Sequence, residues 1–171
     1  MSYRELLLGA GNDRRKKVSG DVIPAEWADL TTLDVDPDCK PDVVHDLNVL
    51  PYPFPDNSFD EVHAYQVMEH LGSQGDVKFF FDQFNELYRI LKPGGLFVAS
   101  VPMWDSPWAW SDPGHRRVIT RHSLAFLRKD EYQQLGKTSM ADYRSYLRCD
   151  FETVGVREEE HEMAFVLKAL K

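Results

Sequence analysis

The run Leu6, Leu7, Leu8, followed at once by Gly9, Ala10 and Gly11, restricts this fold more than any other feature. An unbroken apolar run of this kind marks a strand buried on both faces, the situation of parallel sheets covered on both sides. Glycines directly after such a strand belong to a turn where backbone must approach a ligand or a neighbouring segment closely, because a Cβ would collide there. Taken alone, Gly-x-Gly fits a nucleotide-type site and a plain tight turn about equally. Asp13 stands where a third glycine would complete Gly-x-Gly-x-Gly, and no Gly-x-Gly-x-x-Gly is formed, so a pyrophosphate cradle is disfavoured.

The rest of the chain extends the same pattern. Apolar segments at Leu30–Val35 and Val43–Val44 each run into acid, Asp36 and then Asp46. Phe59–Tyr65 and Leu96–Val101 read as a fourth and fifth strand. Between these two, Phe80, Phe84, Leu87, Tyr88 and Leu91 recur at helical spacing and predict a helix over Asp76–Leu91, stopped by Pro93, Gly94 and Gly95. Thr120 is placed to cap a second helix carrying Leu124, Phe126 and Leu127, and Met140–Leu147 predicts a short third. Two terminal apolar runs, Phe151–Val156 and Met163–Leu170, are joined by the charged stretch Arg157–Glu162 and predict a hairpin. The expected fold is α/β and Rossmann-like: a mostly parallel seven-stranded sheet with an antiparallel C-terminal hairpin and helices on both faces, in a single domain over residues 1–171.

Bulk properties narrow the function. A net charge of −8 disfavours a broad nucleic-acid footprint. Cys39 and Cys149 form no CxxC pair and are too few for a disulfide framework or a cysteine-based zinc site, so both are expected to be reduced thiols. The start, MSYRELLLGAG, is well short of a signal-peptide core or a membrane span, and a cytoplasmic protein is expected.

Acids at strand ends suit a nucleoside. Asp36 or its neighbour Asp34 is placed to accept hydrogen bonds from two ribose hydroxyls, since both carboxylate oxygens accept. The plainer alternative is an Asp opening a turn before Pro37. Asp46 would accept from an adenine amino group while the Leu47 amide donates to the ring, with Leu47 and Phe54 flanking its faces.

The ordered series LLLGAG (Leu6–Gly11), LDVDP (Leu33–Pro37), DVVHDLNVLPYPFPDNSFDEV (Asp42–Val62), VMEHL (Val67–Leu71) and ELYRILKPGGLFVASVP (Glu86–Pro102) resembles the class I methyltransferases of the type eleven group. The likeness spans most of the first hundred residues, and the order and spacing are more specific than any one piece. It implies S-adenosylmethionine as cofactor. Gly9, Ala10 and Gly11 would contact its methionyl part and ribose, Asp36 the ribose, and Asp46 and Leu47 the adenine. Tyr65 and Gln66 would line the methyl end, with Glu69 and His70 just beyond. Departures from the group's pattern are Leu7 in place of an acid, and a long interval from Gly11 to Asp36 that holds Arg14, Arg15, Lys16 and Lys17 instead of an apolar helix.

A cover for the substrate is expected from residues 103–148. Trp104, Trp108 and Trp110 crowd there beside Ser111–Thr120, which resembles a DPxHxR stretch found in part of the group. Trp104, Trp108, Asp112 and Arg117 would form an amphipathic wall against a planar or sugar-like acceptor. An equally weighted alternative has the tryptophans packing the loop and Arg117 pairing with Asp112.

Methyl transfer is an in-line displacement that depends chiefly on positioning. A hydroxyl or amine acceptor benefits from a base, for which His115 is preferred and His70 is second. No metal is expected, because the one acid-rich stretch with a histidine, Glu159–Glu162, reads as a hairpin turn. The expected function is therefore methyl transfer to a small-molecule, sugar-like or nucleotide-linked acceptor, without a membrane partner. Alternatives are a nucleic-acid methyltransferase using the run Arg14–Lys17, which more often is a solvated face; an inactive cofactor-binding module; and a dehydrogenase, disfavoured by the missing glycine.

Overall fold

A computed structural model describes residues 2–20 and 23–171. Seven strands, β1 (Arg4–Leu8), β2 (Asp29–Asp34), β3 (Val43–Val44), β4 (Phe59–Tyr65), β5 (Leu91–Pro102), β6 (Phe151–Glu158) and β7 (Glu162–Ala169), form one sheet in the order β3-β2-β1-β4-β5-β7-β6. The first five strands pair in parallel, and β7 lies antiparallel between β5 and β6. This is the expected mixed sheet, and β3 and β4 have the expected ends.

Strand alternation divides the core. Leu6, Leu8, Val62, Ala64, Phe97, Ala99 and Val101 face one side of the sheet, where helix α1 (Val77–Ile90) packs. Leu7, Tyr65 and Val98 face the other. Asp76 caps α1 by accepting from the Phe79 amide at 3.0 Å, a contact worth about 1 kcal/mol. The fully buried stripe of α1 is Phe81, Phe84, Leu87 and Ile90, with Phe80 and Tyr88 at its margin, so the apolar face is rotated from the one expected. The helix also ends earlier than its glycines suggest. Leu91 is already extended and paired with Phe59, and Lys92–Gly95 form an irregularity within β5 before pairing resumes at Leu96.

The segment after β5 contains two single-turn helices, α2 (Trp108–Ser111) and α3 (Arg121–Leu124). A reciprocal capping box between Thr120 and Ser123 starts α3. The helix expected at 140–147 does not form. Asp142 turns its carboxylate onto the amide and guanidinium of Arg144, and only a turn at 144–146 follows. An aspartate bound to its own backbone competes with helix in this way.

Where helices were expected on both faces, the second face is covered by irregular stretches at 12–20 and 23–28, from which Val18, Ile23 and Trp27 pack on Leu7, Tyr65 and Val98. Among the described residues no helix is long and apolar enough to cross a membrane.

Candidate active site

The carboxyl ends of β1, β2, β3 and β4 converge on one edge of the sheet. Gly9 (φ 59°) and Gly11 (φ 49°) are both left-handed, a region that favours glycine. A Cβ on Gly9 would lie 2.4 Å from Val67 Cγ2, whereas among the described residues beyond its chain neighbours nothing comes within 4 Å of one on Gly11. The turn is thus pressed against the end of β4 on one side and open on the other.

Asp34 organises this edge. Its Oδ2 accepts from the Gly11 amide at 2.8 Å and its Oδ1 from the Asp36 amide at 2.9 Å, joining the glycine turn to the end of β2. Asp36 is exposed; its Oδ1 accepts from the Asp38 amide at 2.9 Å and caps the short 3-10 turn Pro37–Cys39. The plain turn-opening reading of Asp36 is therefore correct as far as it goes, and its second oxygen meets only Cys39 Sγ, at 3.5 Å. Asp46 Oδ1 accepts from Asn48 N and Nδ2, and these bonds, the backbone one foremost, hold its carboxyl below the usual range. Its Oδ2 has no hydrogen bond among the described residues.

Three expected contacts do not hold. Leu47 is buried in the main core and Phe54 packs edge-on against Phe59 at 5.0 Å, so neither side chain is free to flank an adenine. Tyr65 points to the second face, where its hydroxyl reaches His63 Nδ1 at 2.7 Å. Strand parity turns it away from the cleft. Gln66, by contrast, sits at the edge with φ 57°, its amide donating to Ser100 O at 2.8 Å and its side chain to Glu162 of β7 at 2.8 Å.

The basic run is not a uniform solvated face. Arg15 and Lys17 pair with Asp13 at the surface, and Arg14 donates to the Cys39 and Lys40 carbonyls. Lys16 instead dives under the segment. Its ammonium pairs with Glu5 and with Glu61 Oε2 (2.8 Å), all three side chains buried, and lies 4.8 Å from the centre of the Trp27 ring. His63 extends the cluster, with Nε2 2.8 Å from Glu61. Burial pushes the His63 pKa down and keeps the imidazole neutral, so Nε2 donates to Glu61 and Nδ1 accepts from Tyr65.

On the acceptor side, Trp104, Trp108 and Trp110 are 56, 62 and 72% exposed, so they do not pack the loop. Arg117 does not pair with Asp112: it is buried, donating to Met68 O at 2.8 Å and to Gln83. Asp112 accepts from the Gly114 amide at 2.7 Å, and its other oxygen lies 3.8 Å from His115 Nε2. The strand-like segment through Arg116 and Arg117 donates both amides to the Glu69 carbonyl (2.8 and 3.3 Å), which brings the EH and DPxHxR stretches together. His70 and His115 meet edge to face at 4.7 Å, with Glu69 beside them. Glu69 is 2% exposed, and neither carboxylate oxygen has a hydrogen-bond partner among the described residues. Burial raises its pKa to about 7. The prominence of Glu69 was missed in the sequence reading, which named it only as lying beyond Gln66. Behind this wall, Phe80, Phe81, Ile119, Phe126 and Tyr143 line a cavity of about 270 Å³.

Comparison with known proteins agrees with this architecture. Residues 21–99 match a methyltransferase domain model. A probable S-adenosylmethionine-dependent methyltransferase of Mycolicibacterium smegmatis is 35% identical over 94 residues, 55% of this chain and 34% of that protein. A sterol 24-C-methyltransferase of Pneumocystis carinii is 33% identical over 67 residues, 39% of this chain and 16% of the relative. The chain thus spans a third or less of the length of these relatives. Among solved structures, an Archaeoglobus fulgidus S-adenosylmethionine-dependent methyltransferase superposes with a TM-score of 0.60 at 17% identity, covering 97% of this chain and 86% of that one. A Haloferax volcanii putative methyltransferase complex with the Trm112 activator gives 0.57 at 14% identity, covering 99% and 83%. Sheet order, matched segment and superposed structures together show that the chain has the class I methyltransferase fold and that residues 21–99 are similar to a methyltransferase domain.

Proposed function

We propose that this chain transfers a methyl group from S-adenosylmethionine to a small-molecule acceptor bound against the wall formed by Glu69, His70, His115 and the exposed tryptophans. One observation supports this best: the matched segment supplies Asp34, Asp36, Asp46 and Gln66, which stand at or just after the carboxyl ends of β2, β3 and β4, and Asp34 accepts from the Gly11 amide of the turn that follows β1. The edge fits the cofactor, because the turn is open above Gly11 and both Asp36 and Asp46 keep a carboxylate oxygen little used by the protein. In this reading Asp36 holds the ribose, Asp34 positions the glycine turn, Asp46 with the Leu47 amide meets the adenine, and Gln66 borders the methyl end.

When bound, the cofactor supplies a methyl group on a positively charged sulfur, so the acceptor needs little besides alignment and relief of its proton. With the cofactor bound, Glu69, His70 and His115 would face the acceptor and assist the loss of its proton. Net charge of −8 and the internal use of Arg14 and Lys16 favour a small molecule over nucleic acid. The aromatic cavity beside Arg117 is of a size to take an apolar portion of such an acceptor.

Calorimetry with S-adenosylmethionine and S-adenosylhomocysteine tests the reading. Micromolar binding of either is expected, and absence of binding to both would overturn it. Binding without turnover across a metabolite extract would favour the inactive-module alternative.

A further inference from the structure

Three buried side-chain atoms of the acceptor wall, Glu69 Oε1, Glu69 Oε2 and His115 Nδ1, have no hydrogen-bond partner among the described residues. A carboxylate buried in this way costs several kcal/mol unless a cation or proton compensates it. The nearby guanidinium does not do so by hydrogen bonding, since Arg117 is spent on Met68 O and Gln83. One ligand atom each from Glu69, His70 and His115 lies within 4.8 Å of the others.

The surroundings of the two imidazoles point the same way. A metal-bound histidine characteristically donates its other ring nitrogen to a carboxylate or backbone carbonyl, which fixes the tautomer and orients the ring. His115 has Asp112 Oδ2 3.8 Å from Nε2, leaving Nδ1 as the unengaged nitrogen. His70 has Gly114 O 3.1 Å from Nδ1. The other titratable cluster of the fold, Glu5, Glu61 and His63, lacks this character because the Lys16 ammonium already neutralises its acids.

We infer that Glu69, His70 and His115 form a binding site for a first-row divalent transition ion, with Asp112 and the Gly114 carbonyl orienting the imidazoles. Two imidazoles and a carboxylate suit zinc, cobalt, iron or manganese better than calcium or magnesium. Three protein ligands leave at least one coordination position open. Val67, against which Gly9 packs, precedes Glu69 by two residues in the chain. An acceptor hydroxyl coordinated at the open position would ionise more readily and pass its proton to water. That last role rests on the methyltransferase reading; the ion site itself does not.

The test uses tag-free, chelator-treated protein titrated with zinc chloride by calorimetry and with cobalt chloride by visible absorption. We expect one equivalent of either ion, and a cobalt spectrum of low coordination number. Asp112→Ala, which spares all three ligands, should weaken binding by about 10- to 100-fold, and His115→Ala by more. Far-UV circular dichroism checks folding, and should Glu69→Gln fail to fold, the Asp112 and His115 variants carry the test. Absence of binding by the parent protein overturns the site, as does binding that neither variant weakens. Cofactor binding without metal binding sinks only the ion site, whereas metal binding without cofactor binding supports the ion site and sinks the methyltransferase reading.

Discussion

Lys16 Nζ lies 2.8 Å from Glu61 Oε2, in a pair whose side chains are 1 and 0% exposed. The pair links an irregular surface segment to the centre of the sheet. Replacing Lys16 by Ala leaves Glu5 and Glu61 buried without their cation, and should cost about 3–5 kcal/mol. Urea denaturation measures this, and a loss below about 1 kcal/mol would mean that water reaches both acids freely.

The same cluster sets an acid limit on stability. Burial alone would raise the Glu61 pKa, but hydrogen bonds from His63, Lys16 and Tyr3 outweigh it and bring it from 4.5 to about 2. A folded-state pKa below the unfolded one contributes stability above 4.5 that disappears as pH falls through about 2. The stability difference between the parent protein and Glu61→Gln should therefore shrink across that interval. A difference that stays constant with pH would contradict the assignment.

Gly9 and Gly11 allow a controlled comparison, because both are left-handed but only Gly9 meets a neighbour. Gly11→Ala should cost about 1 kcal/mol from backbone strain alone, and Gly9→Ala at least about 2 kcal/mol because overpacking is added. The extra cost should fall when Val67→Ala is combined with Gly9→Ala. Thermal unfolding of the four variants would show whether the turn is indeed pressed on Val67.

If the proposed site holds, Asp36→Ala and Asp46→Ala should each weaken cofactor binding by about 10-fold or more and lower stability by only about 1 kcal/mol, the scale of the exposed turn bonds that each also makes. Asp34→Ala should lower both, because its two oxygens hold the Gly11 and Asp36 amides. Calorimetry beside thermal unfolding separates the two patterns, and unaltered affinity in both the Asp36 and Asp46 variants would refute the placement of the nucleoside.

His115→Ala should spare cofactor affinity and reduce turnover by about 100-fold or more, the usual scale for a group that deals with the acceptor's proton. Equal loss of both would make His115 a structural residue.

Much of the sheet was legible because strand burial is a local property of sequence. Leu6–Leu8, Phe59–Tyr65 and the terminal hairpin announce themselves by apolar run and alternation, and the ends of β2 and β3 by their acids. What could not be read is which face or partner a residue acquires once distant strands pair. Tyr65 faces the second side because of its register on β4, and Leu47 is drawn into the core by Tyr52 and its neighbours. Lys16 looks like surface in a run of four bases because its partners, Glu5 and Glu61, are set side by side only by the pairing of β1 with β4. Glu69 and His115 are joined by the backbone bonds of Arg116 and Arg117, which no spacing rule encodes.

The stretches 12–20 and 23–28 are held at separate points: Arg14 on the Cys39 and Lys40 carbonyls, Lys16 between two acids, and Ala28 through its amide on Glu5. A helix in this place would need favourable backbone at every residue, whereas a covering fastened at points constrains only the fastenings. An exposed position between them, such as Ser19, is accordingly a place where this rim can be recoded at little expense. A protein engineer seeking to reshape the cofactor entrance would start there and leave Lys16 untouched.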